Sequence, residues 1–158
     1  MIEATLCFIL DGDPATRILL GKKKRGFGEG KLNGLGGKVQ PGETPIRTIV
    51  REVAEEANVA ISPDTLRSAG TIQFFFPFHP AFDHHVHVFT THCWEGDVHE
   101  SSEMKPEWFP IEKIPYDCMW ADDVHWLPLI LSGRRIEAEF TFHEDNETIA
   151  TFMIRELS

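Results

Sequence analysis

Cysteine is scarce in this chain and positive charge is in deficit. Three cysteines, Cys7, Cys93 and Cys118, stand in 158 residues at no metal-ligand spacing. That argues against a disulfide or zinc framework and leaves reduced core thiols as the expectation. Lysine and arginine total 15 against 25 aspartates and glutamates, a formal charge of −10. Cationic side chains supply most of the affinity for nucleic-acid polymers, so no such partner is expected. A small anion remains open to a site where cations or metal are concentrated. The opening MIEATLCFIL lacks the basic start and small-residue cleavage site of a secretory signal, and its apolar run is too short to cross a bilayer. The expectation is a cytoplasmic protein with no membrane partner. Linkers, low-complexity tracts and repeats are missing too, so residues 1–158 read as a single domain, expected to be a monomer.

What is present alternates between strand and helix signals. Ala4 to Leu10 and Arg17 to Lys23 are β-rich runs flanking the turn residues DGDPAT, which predicts a hairpin. The glycine-rich KKKRGFGEGKLNGLGG predicts a shaped loop with short extended pieces. Thr44 as N-cap and Pro45 at the first position open a helix whose Ile46, Ile49, Val50 and Val53 form an apolar stripe. Ala69 to Phe76, His85 to Trp94 and Met104 to Phe109 read as strands. Asp122 to Leu131 reads as a helix that Pro128 should bend or confine to short pieces. Arg135 to Phe142 and Thr148 to Arg155 should pair antiparallel across HEDN. Mixed strands with two interspersed helices predict an α+β sandwich.

The first helix carries the chemistry. Glu52 lies four residues from Glu56 and three from Glu55, so one face presents three carboxylates within a turn. Such crowding is repulsive unless something positive sits there, and hard oxygen donors in this number suit Mg²⁺ or Mn²⁺. A solvated acidic face would have the same spacing. Glu43, ahead of the helix, is placed to orient Arg51 or to close the loop.

Gly37, Glu43, Arg51, Glu52, Val53, Glu55, Glu56 and Val59 resemble the Nudix hydrolase box, G-x5-E-x7-R-E-U-x-E-E-x-G-U with U aliphatic. Asn58 replaces the second glycine, and asparagine is the residue with a Cβ that best tolerates the left-handed conformation expected there. KKRGFG, NG-x-GGKVQ-x-GET, VHVF, EM-x-P-x-WF, IP-x-x-x-MW-x-DD and W-x-PL extend the resemblance to the oxidised purine nucleoside triphosphatases of the superfamily. Departures from that pattern are Leu32, Leu35, a longer first hairpin and the HHVH stretch at residues 84–87. The resemblance implies the Nudix fold, a mixed β-sheet sandwiched between helices. It also implies Mg²⁺-dependent conversion of 8-oxo-dGTP and 2-oxo-dATP to monophosphate and pyrophosphate, which sanitises the nucleotide pool.

Carried over by resemblance, the metal ligands are the Gly36 carbonyl, Glu52, Glu55, Glu56 and Glu103, with Glu56 or Glu52 as general base. Lys23 and Lys38 are candidates for phosphate contacts, although a lysine in the run KKKR would equally serve as a solvated strand edge, and Leu35, Gly36 and Gly37 lie in the turn that would border the substrate. Asn33 offers a purine edge a donor and an acceptor, and it would equally serve the glycine turn. Phe27, Phe74, Trp120 and Trp126 could supply flat walls, although core packing is the commoner fate of such residues and the wall role is favoured only for Trp120; Thr5 resembles a residue near the base, a role a strand threonine does not need. Asp122 and Asp123, after Trp120, are read as the pair that senses the base, with a shared proton making it both donor and acceptor. A helix cap is their simpler role. His85 and His87 share a strand face, but no third ligand stands at suitable spacing, so the His84, His85 and His87 cluster is expected to be structural. A nucleotide-sensing module on the same fold would lack box glutamates, and all are present. Ordinary dNTPs, methylated purine triphosphates and dinucleotides remain as other substrates.

Overall fold

The computed structural model describes residues 1–157. Its centre is a mixed sheet of eight strands: β1 (Ile2–Gly12), β2 (Ala15–Lys23), β3 (Leu32–Asn33), β4 (Arg67–Phe75), β5 (His84–Thr91), β6 (Met104–Pro110), β7 (Arg135–Phe142) and β8 (Ile149–Leu157). The order is β3-β2-β1-β5-β4-β7-β8, with β6 also pairing β2. The β1–β5 and β4–β7 pairs are parallel and the rest antiparallel.

Alternation along β1 explains why it is central. Ala4, Leu6, Phe8 and Leu10 face one core, which holds Trp126, Leu127 and Ile130 of helix α2 (Asp123–Leu131). Cys7 and Ile9 face a second core with Ile49, Val53 and Ala57 of helix α1 (Pro45–Ala57). A strand buried on both faces needs apolar residues at both parities, and LCFIL provides them. The two helices thus sandwich the sheet, as the α+β reading predicts. Among the described residues, no helix is long and apolar enough to cross a membrane.

The helix ends follow local chemistry. Thr44 Oγ1 accepts the Arg47 N–H at 3.2 Å, and Pro45 stands where a missing N–H costs nothing. Asn58 ends α1 in the left-handed region at φ 61°, and its Nδ2 donates to the His99 carbonyl at 3.2 Å. Pro128 lies inside α2, which remains a single helix of nine residues. The expectation for cysteine holds only at Cys7, which is buried; Cys93 and Cys118 are exposed, and all three are free thiols.

Candidate active site

The loop before α1 is folded onto β1 by backbone bonds. Cys7 and Leu35 exchange N–H···O contacts at 2.6 and 2.9 Å, and the Thr5 N–H reaches the Gly37 carbonyl at 2.9 Å. Gly36 approaches so closely that a Cβ there would stand 2.1 Å from the Thr5 carbonyl oxygen. Only glycine admits this approach. It lets the Gly36 N–H donate to Glu56 Oε1 at 2.9 Å, which ties the turn to the acidic face of α1.

Arg51 organises the glutamates. Its guanidinium grips Glu43 with two bonds, 2.7 and 2.9 Å, and also reaches Glu52 at 2.8 Å and Glu55 at 3.3 Å. Glu43 Oε1 also accepts from the Gln40 N–H and the Thr48 hydroxyl, at 2.9 and 3.0 Å, so Glu43 both orients Arg51 and closes the loop. The bonds from Arg51 hold the Glu43 carboxyl down at about 2. Glu52, Glu56 and Glu103 present oxygens within 4.8 Å of one another. Glu103 arrives from outside the box because β6 pairs with β2, setting Met104 opposite Lys23. Glu55 stands apart, exposed and turned to Arg51.

Burial, followed by the charges of Glu52 and Glu103, pushes Glu56 up to about 8, against the Gly36 N–H and Lys23, which act to lower it. Burial likewise raises Glu52, opposed by Arg51. Desolvated carboxylates that repel one another are suited to a divalent cation, and all-oxygen donors fit Mg²⁺ or Mn²⁺.

Beside this cluster opens a cavity of about 190 Å³ lined in part by Thr5, Lys23, Phe27, Asn33, Glu56, Phe74, Trp120, Asp122, Asp123 and Trp126. Gly36 and Gly37 border it too. Thr5 Oγ1 bonds the Gly37 carbonyl at 3.1 Å, and Asn33 Oδ1 accepts the Gly34 N–H at 2.8 Å, so the turn-stabilising role of Asn33 coexists with its place in the wall. Phe27 and Trp120 lie 5.2 Å apart, and Lys31 sits over the Trp120 ring at 5.1 Å.

Asp122 and Asp123 are both 2% exposed and neither side chain caps α2. The simpler role as a helix cap therefore fails. Asp122 has helical backbone angles, which turn its carboxylate inward, where Oδ2 accepts the Trp126 indole N–H at 2.7 Å. Burial raises both carboxyls; the neighbouring Asp122 charge and the hydrogen bond between the two raise Asp123 further, well above the ordinary range. The pair therefore favours holding a proton between its two carboxyls. Among the described residues, Asp123 Oδ2 is the one buried side-chain nitrogen or oxygen without a hydrogen-bond partner.

One expectation fails here, and several wall residues were not anticipated. Leu35 is not a wall of the cavity: its pairing with Cys7 directs it into the core under α1, where it is fully buried. Lys38 is exposed outside the cavity lining, where its charge acts on His84 of the wall. Phe76, Phe142 and His84 line the cavity, a role that no sequence motif marks. Strand alternation could have put Phe142 on the face of Phe140, but not beside Trp120. His84 fits the structural expectation in its contacts, lying parallel to Phe27 with ring centres 6.0 Å apart, while also forming part of the wall.

A family model described as NUDIX domain matches residues 2–130. The chain belongs to the Nudix family. Among curated Nudix relatives, an oxidized purine nucleoside triphosphate hydrolase of Danio rerio is 48% identical over 126 residues, covering 80% of this chain and 79% of that protein. The Mus musculus protein of the same name is 43% identical over 141 residues, covering 89% and 88%. A crystal structure of a mutator MutT protein from Bacillus halodurans superposes with a TM-score of 0.82 at 24% identity, covering 98% of this chain and 97% of that one. That likeness shows the Nudix fold. Gly37 to Val59 is the Nudix box of this chain, and α1 is its Nudix helix.

Proposed function

We propose that this Nudix chain hydrolyses oxidised purine nucleoside triphosphates, 8-oxo-dGTP and 2-oxo-dATP above all, to the monophosphate and pyrophosphate. It would act as a cytoplasmic monomer that keeps damaged nucleotides out of DNA. The observation that carries the reading is the buried Asp122–Asp123 pair, with its unpartnered Oδ2, in an aromatic cavity that opens onto the glutamate cluster. Oxidation at guanine C8 or adenine C2 rearranges donors and acceptors on the purine edge. A carboxyl pair with one proton offers both a donor and an acceptor to that edge. The names of the zebrafish and mouse relatives support the same substrate class.

Glu52, Glu56 and Glu103, with the Gly36 carbonyl, would hold Mg²⁺, or Mn²⁺ in its place. Bound there, such an ion would supply charge neutralisation for the phosphates and a lowered pKa for an attacking water. Glu56 would act as the general base that takes the proton of that water. Lys23 meets phosphate oxygens at the cavity edge, and Arg51 keeps Glu52 oriented. Phe27 and Trp120 hold the base by stacking.

The direct test incubates the protein with 8-oxo-dGTP and Mg²⁺ and resolves the products by anion exchange. Monophosphate and pyrophosphate are expected, with no turnover in excess EDTA. Release of inorganic phosphate and a diphosphate, or full activity in EDTA, would overturn the reading.

A further inference from the structure

The HHVH stretch divides across the sheet. His84 faces the nucleotide cavity, whereas His85 and His87 point from β5 to the opposite face. There the parallel neighbour β1 places Glu3 level with His85. Glu3 Oε2 lies 3.1 Å from His85 Nδ1 and 3.0 Å from His87 Nε2, so one carboxylate oxygen touches both imidazoles. The three groups offer ligand atoms within 4.8 Å of one another. Strand spacing alone does not reveal this third ligand, because it is 82 residues from His85 and comes from another strand.

We propose that Glu3, His85 and His87 form a second metal site, selective for a zinc-class ion (Zn²⁺, Co²⁺ or Ni²⁺) and separate from the glutamate cluster of the Nudix box. Two imidazoles and a carboxylate are the donor set of a three-ligand zinc site with a fourth position left to water. Metal–ligand bonds of about 2.0–2.2 Å at tetrahedral angles separate the donor atoms by roughly 3.3 Å. The Glu3–His distances of 3.0–3.1 Å need open by only a few tenths of an ångström. Both rings are partly exposed and Glu3 is half-exposed, so an ion has access and water has room.

The surroundings favour a cation. The adjoining groove, which His85 lines, carries Glu137, Glu139 and Arg155; Arg155 pairs with Glu137, which leaves the groove one net negative charge. Imidazole nitrogen prefers zinc-class ions to Mg²⁺, whereas the all-carboxylate cluster suits Mg²⁺. The two sites therefore differ in the ion they select. Without an ion, an exposed carboxylate–histidine contact contributes little to stability. With one, the ion cross-links β1 to β5 and stabilises the chain by mass action.

The test titrates Co²⁺ into chelator-stripped full-length protein in excess Mg²⁺, which occupies the oxygen site, and follows the visible cobalt absorption. One Co²⁺ per chain is expected, with affinity falling at least about tenfold in His85→Ala and again in His87→Ala, the scale for disturbing a metal ligand. Glu56→Gln should leave this titration unchanged. The two histidine variants should keep parental hydrolysis in Mg²⁺, which reports that they fold. Zn²⁺ should raise the melting temperature of the parent but not of the double variant. Equal Co²⁺ affinity and stoichiometry in parent and double variant, or no Co²⁺ bound by the parent in excess Mg²⁺, would overturn the proposal.

Discussion

Replacing Asp123 with asparagine keeps size and shape but removes the exchangeable proton. In the parent, Asp122 Oδ2 is committed to the Trp126 N–H, so the adaptable part of the pair is Asp123 and its unpartnered Oδ2. A buried polar atom without a partner costs about 1–3 kcal/mol, which a correctly matched purine edge recovers on binding. At about 1.4 kcal/mol per decade, that is roughly 5- to 150-fold in kcat/KM for a matched over a mismatched base. Asparagine presents a fixed donor and a fixed acceptor. Asp123→Asn should therefore lose at least about tenfold on one oxidised purine and change the preference between 8-oxo-dGTP and 2-oxo-dATP. Steady-state kinetics on these two, dGTP and dATP is the assay. A second readout follows from the raised carboxyl. Above the ordinary aspartate range the unfolded chain releases this proton while the folded chain keeps it, so the parent loses stability as pH rises, at most about 1.4 kcal/mol per pH unit. The asparagine variant lacks that loss, and its denaturant-unfolding free energy should gain on the parent's as pH rises. If the variant keeps the parental kcat/KM on all four nucleotides and the parental pH slope, the two aspartates do not share a proton and do not read the base.

Other consequences can be measured in the same way. Glu56→Gln should fold normally, with circular dichroism unchanged, and lower kcat by about a hundredfold or more, the scale of a lost general base; parental kcat would exclude it from the chemistry. Asn58→Gly should be neutral or stabilising, whereas Asn58→Val should cost about 1 kcal/mol or more, because φ is positive there; equal melting temperatures would contradict this. Glu43 is held at about 2 against an ordinary 4.5, so its contribution is complete above pH 4.5 and lost as pH falls toward 2. Glu43→Gln should thus be less stable than the parent near pH 7 in urea unfolding, with the two converging as pH approaches 2; a gap that does not change with pH would refute the Arg51 assignment.

Much of this architecture was legible because local signals agreed with one another. Thr44, Pro45 and the Ile49–Val53 stripe specify where α1 starts and which face it buries, and Asn58 specifies where it stops. The carboxylate face follows from helical spacing alone. What stayed hidden depends on partners distant in sequence. Leu35 sits in an irregular segment whose alternation is set by its bridge to Cys7, so its direction could not be read from its neighbours. Glu3 meets His85 only through the parallel β1–β5 register. Phe76 and Phe142 stack at 4.8 Å across segments far apart in the chain, and nothing local says which side of the sheet holds the cavity. Cys93 and Cys118 show the limit of composition: cysteine is usually buried, but Cys93 follows the end of β5 and Cys118 ends a short 3-10 turn, and both face out.

The central claim is that the cavity around Asp122 and Asp123 selects an oxidised purine. It is tested most directly by competition: equimolar 8-oxo-dGTP and dGTP in one reaction with Mg²⁺, the loss of each followed by chromatography, so that the ratio of rates gives the ratio of kcat/KM. A ratio of about ten or more in favour of the oxidised nucleotide is predicted, equivalent to one well-paired buried hydrogen bond. A ratio near one, or a preference for dGTP, would contradict the account.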